Sequence, residues 1–204
     1  MKELTEDIKN ILGLKLPTDP RWVNLTEKSL EEILTDHAFC EQKAATQCIS
    51  LIQRYADKED LVNALAPIVT EEWGHFRLVL SELTKRGLPL GRQRKDIYVN
   101  KLIEFQKKGG SPDERFLDQM LTMALIEARS CERFRLLSDQ ISDKELADFY
   151  RELMISEASH YSTFISLARK YGNDIEDVNA RWQAWLEFEA RVIQNYGKAQ
   201  SIHG

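Results

Sequence analysis

Four glutamates and two histidines in this chain have spacings suited to metal binding. Glu72 and His75 form one Glu-x-x-His motif, and Glu157 and His160 form a second. Each has a glutamate upstream at nearly the same distance: Glu41 precedes Glu72 by 31 residues, and Glu127 precedes Glu157 by 30. On a helix, residues three apart share a face, so the carboxylate and imidazole of each motif point the same way. Burying a carboxylate without a partner is costly, and six such groups on inward faces call for a common one. A pair of metal ions fits, with Glu72 and Glu157 able to bridge them, Glu41 and Glu127 to bind terminally, and each histidine to add one nitrogen. Carboxylates stabilise Fe(III), and four Glu with two His leave room for dioxygen. No catalytic residue beyond these ligands is singled out.

Such a site needs helices that carry each ligand to a common height. A helix is predicted from Ser29, where Ser29 and Glu32 suit a capping box, with the seam Leu30, Leu34, His37, Glu41, Ala44, Cys48, Leu51, Tyr55. A second runs from about Lys58 to Arg86 and stops at Gly87, with Pro67 expected to bend it. Its seam is Leu61, Leu65, Ile68, Glu72, His75, Val79. After a loop over Leu88 to Lys95, Asp96 to Lys107 suits a short helix. Ser111-Pro112-Asp113-Glu114 then opens a third long helix over 112–138, with the seam Leu117, Met120, Ala124, Glu127, Cys131, Phe134. Ser142 and Glu145 suggest the cap of a fourth, with the seam Leu146, Phe149, Leu153, Glu157, His160, Phe164, Leu167 and its end at Gly172. A fifth, 174–196, carries Trp182, Trp185 and Phe188, and the tail from Gly197 reads as frayed.

Each ligand falls about 12 to 15 residues into its helix, roughly 20 Å from the end, so four antiparallel helices bring all six to mid-bundle. The expectation is an all-α, ferritin-like four-helix bundle with an additional C-terminal helix and a short helix in the central crossover connection. It forms a single di-iron domain over 1–204: an N-terminal arm (1–25), the bundle (26–171) and the extra helix (174–196).

Composition agrees with long helices. Only 9 Gly and 5 Pro occur in 204 residues, too few for many tight turns. No apolar run approaches the roughly 20 residues that cross a bilayer. Met1 to Asn10 lacks the apolar stretch of a signal peptide. Cys40, Cys48 and Cys131 form no CxxC pair and read as free thiols in a reducing cytoplasm. Net charge is −5, yet between Lys85 and Lys108 eight basic residues face only Asp96 and Glu104, a local +6. Arg92, Arg94, Lys95 and Lys101 in this stretch are candidate phosphate contacts, since Lys and Arg supply most nucleic-acid affinity.

Other polar residues have plainer readings. His37, one turn before Glu41, is either a core histidine or a hydrogen-bond partner of a ligand. Asp36 and Glu132 fall off their seams and read as solvated; Trp73, beside Glu72, reads as packed.

The runs 36–45 (DHAFCEQKAA), 71–76 (EEWGHF), 126–134 (IEARSCERF) and 156–161 (SEASHY) resemble those of the MiaE tRNA hydroxylases over about residues 25–190. The resemblance carries over all six ligands, Glu41, Glu72, His75, Glu127, Glu157 and His160, without departure. It implies an oxygen-dependent di-iron monooxygenase that hydroxylates the isopentenyl group of 2-methylthio-N6-isopentenyl-adenosine next to the anticodon of tRNA. Dioxygen is the co-substrate. With no CxxC, flavin or dinucleotide motif in view, the electrons are assigned to a separate reductase. The oligomeric state is left open, with a monomer favoured. The rival expectation is a ferroxidase or peroxidase of the ferritin or rubrerythrin kind. Against it stand the missing paired cysteines of rubrerythrins and the long connector and fifth helix, which look like additions to a small enzyme.

Overall fold

The computed structural model describes residues 12–196, with seven complete helices and no strand among them. They are α1 (Trp22–Lys28), α2 (Leu30–Arg54), α3 (Glu59–Lys85), α4 (Ile97–Phe105), α5 (Pro112–Gln140), α6 (Lys144–Gly172) and α7 (Val178–Tyr196). The first eleven positions of the expected N-terminal arm, and the tail from Gly197, lie outside the described residues. The chain divides into two compact units, one of residues 25–95 and the other of residues 12–24 with 96–196.

In the 25–95 unit, α2 and α3 form an antiparallel hairpin joined over residues 55–58. Ile33, Leu34, Ala38, Cys48 and Leu51 of α2 are buried, as are Leu61, Leu65, Ile68, Val79 and Leu83 of α3. Helix α3 stays helical through Pro67, which sits on its exposed side. It ends as expected at Gly87 (φ 66°), where Gly87 N donates to Thr84 O (3.0 Å) and Leu88 N to Leu83 O (2.9 Å). The expected capping box at Ser29 does not form, and the Ser29 side chain caps nothing. The reason is α1, which begins within the stretch read as an arm and runs past its end, up to the residue before Ser29. Ser29 N already donates to Thr26 O (3.2 Å), so Glu32 has no free N–H to accept and pairs with Arg94 instead (2.6 Å).

In the other unit, α5 and α6 form a second antiparallel hairpin. The box at the start of α5 forms as read, with Glu114 N donating to Ser111 Oγ (3.1 Å) and Ser111 N to Glu114 Oε2 (2.7 Å). Helix α6 is capped by Asp143, whose Oδ1 accepts from Leu146 N (3.1 Å), and not by Ser142. Its buried seam runs through Tyr150, while Phe149 is half-exposed. Helix α7 begins at Val178, later than the expected 174, because residues 173–177 turn the chain and Asp177 Oδ1 accepts from Asn179 N and Ala180 N. Gly172 permits that turn: a Cβ there would meet Leu117 Cδ1 at 2.8 Å and Val178 Cγ2 at 2.9 Å.

Helix α5 is the centre of this unit, with every residue from Met120 to Phe134 buried. One side holds the expected seam. Another carries charges that sequence reasoning leaves in solvent. Arg129 Nε and Nη2 donate to Glu189 Oε1 on α7 (2.9 and 2.6 Å), Nη1 to Glu132 Oε2 (3.0 Å) and Thr18 Oγ1 (3.1 Å), and Nη2 to Leu16 O (2.9 Å). Tyr98 of α4 donates to the same Glu189 oxygen (3.2 Å), and Arg133 lies over the Trp22 ring (4.7 Å). Glu132 is thus buried and fully engaged, contrary to the solvated reading, because the 16–22 segment and α7 cover it. Asp118 joins α5 to α7 in the same way, accepting from Arg181 and from Trp185 Nε1.

Candidate metal centre

Each hairpin carries three of the six expected ligands to the middle of its length, and all six are buried. In the 25–95 unit, Glu41 of α2 meets Glu72 and His75 of α3. One donor atom from each lies within 4.8 Å of the others. His75 Nδ1 is 3.6 Å from Glu41 Oε2 and 3.8 Å from Glu72 Oε2. In the other unit, Glu127 of α5 meets Glu157 and His160 of α6, again with donor atoms within 4.8 Å. His160 Nδ1 is 4.0 Å from Glu157 Oε1, and His160 Nε2 lies 3.5 Å from Ser156 Oγ. The two triads repeat one plan: a glutamate from the first helix of a hairpin, and Glu-x-x-His from the second.

The electrostatics of the first triad suit a cation. Burial, then the charge of Glu72, pushes the Glu41 carboxyl up to about 8, against the opposing pull of His75. Burial lowers His75, but hydrogen bonds and charge from Glu41 and Glu72 outweigh it and raise the imidazole to about 10. Protons are therefore held where carboxylates crowd in a dry place, and a cation would replace them. The donor set fits iron: carboxylate oxygens and imidazole nitrogens, with no thiolate that would favour a tetrahedral sulfur site. Cys131, one turn from Glu127, is no ligand. Burial pushes its thiol up to about 12, and its Sγ donates to Met154 O (3.4 Å).

His37 partners a ligand position. It is fully buried, and its Nε2 shares a hydrogen bond with Glu41 Oε1 at 2.6 Å. Asp36, read as solvated, is buried, with Cys40 Sγ 4.0 Å from its Oδ2. Trp73 departs from its packed reading, stacking on Phe76 (4.8 Å between centroids) while leaving 46% of its surface exposed.

The basic connector is partly spent on local pairs. Lys85 and Arg86 pair with Glu82, Arg94 with Glu32, Lys101 with Glu104 (3.0 Å), and Lys107 with Glu114 and Glu176. Among the described residues, Arg92 and Lys95 are exposed and enter no ion pair. Of the four candidate phosphate contacts, Arg92, Arg94 and Lys95 lie in one unit, and Lys101 on α4 in the other.

The family model described as tRNA-(MS2IO6A)-hydroxylase (MiaE) matches residues 3–204. The chain belongs to the MiaE family. Among curated relatives, the tRNA 2-(methylsulfanyl)-N(6)-isopentenyladenosine(37) hydroxylase of Pseudomonas putida is 35% identical over 173 residues, covering 85% of this chain and 82% of that protein. The protein of the same description from Salmonella typhimurium is 26% identical over 239 aligned residues, covering 93% and 87%. Among solved structures, "Protein 43 with aldehyde deformylating oxygenase activity from Synechococcus" superposes with a TM-score of 0.85. It shares 32% identity and covers 94% of this chain and 95% of its own. The fold of this MiaE family member is accordingly all-α and ferritin-like, with α4 in the crossover connection and α7 as the added C-terminal helix. The buried glutamate–histidine clusters suit a metal centre. Among the described residues no helix is long and apolar enough to cross a membrane.

Proposed function

We propose that this chain hydroxylates the isopentenyl group of 2-methylthio-N6-isopentenyl-adenosine in tRNA, next to the anticodon, with the two hairpins acting as one di-iron domain. The observation that carries the reading is the duplicated triad, Glu41, Glu72 and His75 with Glu127, Glu157 and His160, within a chain matched almost end to end by the hydroxylase family model. These six residues would hold two irons, which supply dioxygen activation for attack on an unactivated C–H bond. The chain's own part is to hold and shield. Glu72 and Glu157 would be shared ligands and Glu41 and Glu127 terminal ones, and His37 would keep the Glu41 carboxyl in place. Leu65, Ile68 and Val79 on α3, and Met120, Ala124 and Leu153 on α5 and α6, are buried within two turns of their ligands on the same seams, apolar surface that would keep water from the centre. The electrons come from a separate reductase, and the tRNA substrate implies a cytoplasmic enzyme.

Mass spectrometry of tRNA nucleosides from cells with and without the gene tests this reading, combined with turnover of prenylated tRNA by iron-loaded protein, a reductant and air. The hydroxylated nucleoside should appear only with the gene and with iron. A second reading follows from the solved relative, whose name gives it aldehyde deformylating oxygenase activity at similar identity. A long-chain aldehyde therefore belongs in the same assay. Aldehyde consumption without tRNA hydroxylation would replace the proposal.

A further inference from the structure

Trp22, Trp182 and Trp185 are buried, whereas Trp73 leaves 46% of its surface in solvent. Trp73 directly follows Glu72 and precedes His75 by two residues. One face of the indole lies on Phe76 at 4.8 Å and an interplanar angle of 25°, which fixes the ring. No other ring or polar contact is made by Trp73 among the described residues, and nearly half of its surface is open to solvent. Arg77 lies one turn on, about 5–6 Å away between Cβ atoms. It is exposed and enters no ion pair among the described residues. Half-buried Val69 and Leu80 flank the pair along the same stripe of α3.

This unit also places positive charge at the same end of the hairpin. Gly91 N donates to Thr35 Oγ1 (3.1 Å), which anchors the 88–95 segment on α2. Thr35 is six residues before Glu41, about 9 Å along the axis. Glu41 meets His75 across the antiparallel pair, so Thr35 stands level with the turn of α3 that follows Arg77. Arg92 and Lys95, both exposed and outside any ion pair, therefore sit at the same end of the hairpin as Arg77.

A fixed, half-exposed aromatic ring beside a guanidinium, with unpaired lysine and arginine nearby, is the chemistry that receives an unstacked base of single-stranded RNA and its flanking phosphates. We infer that Trp73 and Arg77 form the platform on which an unpaired base of the substrate tRNA's anticodon loop stacks, with Arg92 and Lys95 facing its phosphates. The inference rests on the tRNA reading above and specifies where the loop docks.

The test uses iron-loaded full-length protein and an anticodon stem-loop RNA, with binding followed by RNA anisotropy and by tryptophan emission. Because the other indoles are buried, quenching by the RNA reports on Trp73. Native protein should bind with partial quenching. Trp73→Ala should weaken binding by roughly 5- to 100-fold and abolish the quenching, the range expected for one stacked base. Trp73→Phe should recover most of the affinity, and Arg77→Gln should weaken it. Iron content and melting temperature should stay native throughout, since neither side chain is buried. RNA binding by Trp73→Ala equal to native, or no recovery in Trp73→Phe, overturns the platform while leaving the hydroxylase reading intact. A native protein that loads iron but binds no stem-loop overturns both. A concentration-dependent dimer that Trp73→Ala converts to monomer, with RNA binding unchanged, assigns the ring to a second copy of this chain and also overturns the inference.

Discussion

Replacing Arg129 by methionine isolates the buried charge network of α5. Methionine fills similar space, but it removes the guanidinium donors to Glu189 Oε1, Glu132 Oε2, Thr18 Oγ1 and Leu16 O, leaving Tyr98 on Glu189 and Thr18 on Glu132. Glu132 and Glu189 are both buried, and with Arg129 gone Arg133 is the buried cation left beside them among the described residues. Breaking one side of a buried ion pair costs about 3–5 kcal/mol, against a total stability of roughly 5–15 kcal/mol. For a chain of this length that is a fall in melting temperature of about 6–20 °C. Circular dichroism melts and urea titrations of apoprotein measure it. Arg129→Met with Glu189→Leu should recover much of the loss, because the stranded carboxylate goes too. The pH dependence has a definite sign. Burial already raises the Glu189 carboxyl above its ordinary value, with Arg129 opposing. Without Arg129 it rises further, so the folded variant favours the neutral acid. That contribution is complete below the ordinary carboxylate range and is lost as pH rises through the folded value. The deficit should therefore be small in acid and grow toward neutral and alkaline pH. A loss below about 1 kcal/mol, or a deficit independent of pH, would refute the account of this network.

Glu157→Ala should abolish binding of the metal pair while helicity by circular dichroism survives, since the apolar seams remain; an Ala variant with both irons and full turnover would remove Glu157 from the site. His37→Phe should weaken Fe(II) or Co(II) binding by about 10- to 100-fold, the usual cost of losing a partner of a ligand, as read by anaerobic metal titration. Affinity within threefold of native would make His37 a packing residue only. Arg92→Glu with Lys95→Glu should slow turnover of tRNA at low salt and spare iron content, and the defect should shrink as salt rises because native binding itself weakens. Equal rates at 50 mM salt would place the phosphate contacts elsewhere.

The four long helices and the burial of all six ligand positions were legible because each helix keeps its apolar residues, and its Glu and His, on one 3–4 seam. The second buried face of α5 was not. Arg129, Glu132, Arg133 and Asp118 look like a solvated stripe until the 16–22 segment and α7 close over them, and those partners lie up to 115 residues away. The i,i+3 pairing of Arg129 with Glu132 and the i,i+4 spacing of Arg129 with Arg133 were the available signals, but exposed helix faces show the same spacings. Two caps were misplaced for local reasons. Ser29 had already used its N–H in the turn after α1, and Asp143 caps α6 where Ser142 was expected. Trp73 was read as packed; its stacking on Phe76 is local, while its exposure depends on what does not cover it.

All three thiols are buried, Cys40 and Cys48 on α2 and Cys131 on α5. A maleimide therefore meets nothing to alkylate until a helix opens, and the thiols act as internal clocks for local unfolding. Because α2 and α5 belong to different units, the order in which labels appear under mild denaturant would tell which hairpin opens first. Under the proposed function the same burial also has a chemical consequence. Sulfenic acid forms from exposed thiolates, and Cys131, held neutral in a dry seam one turn from Glu127, is shielded from the oxidant that its own enzyme would generate.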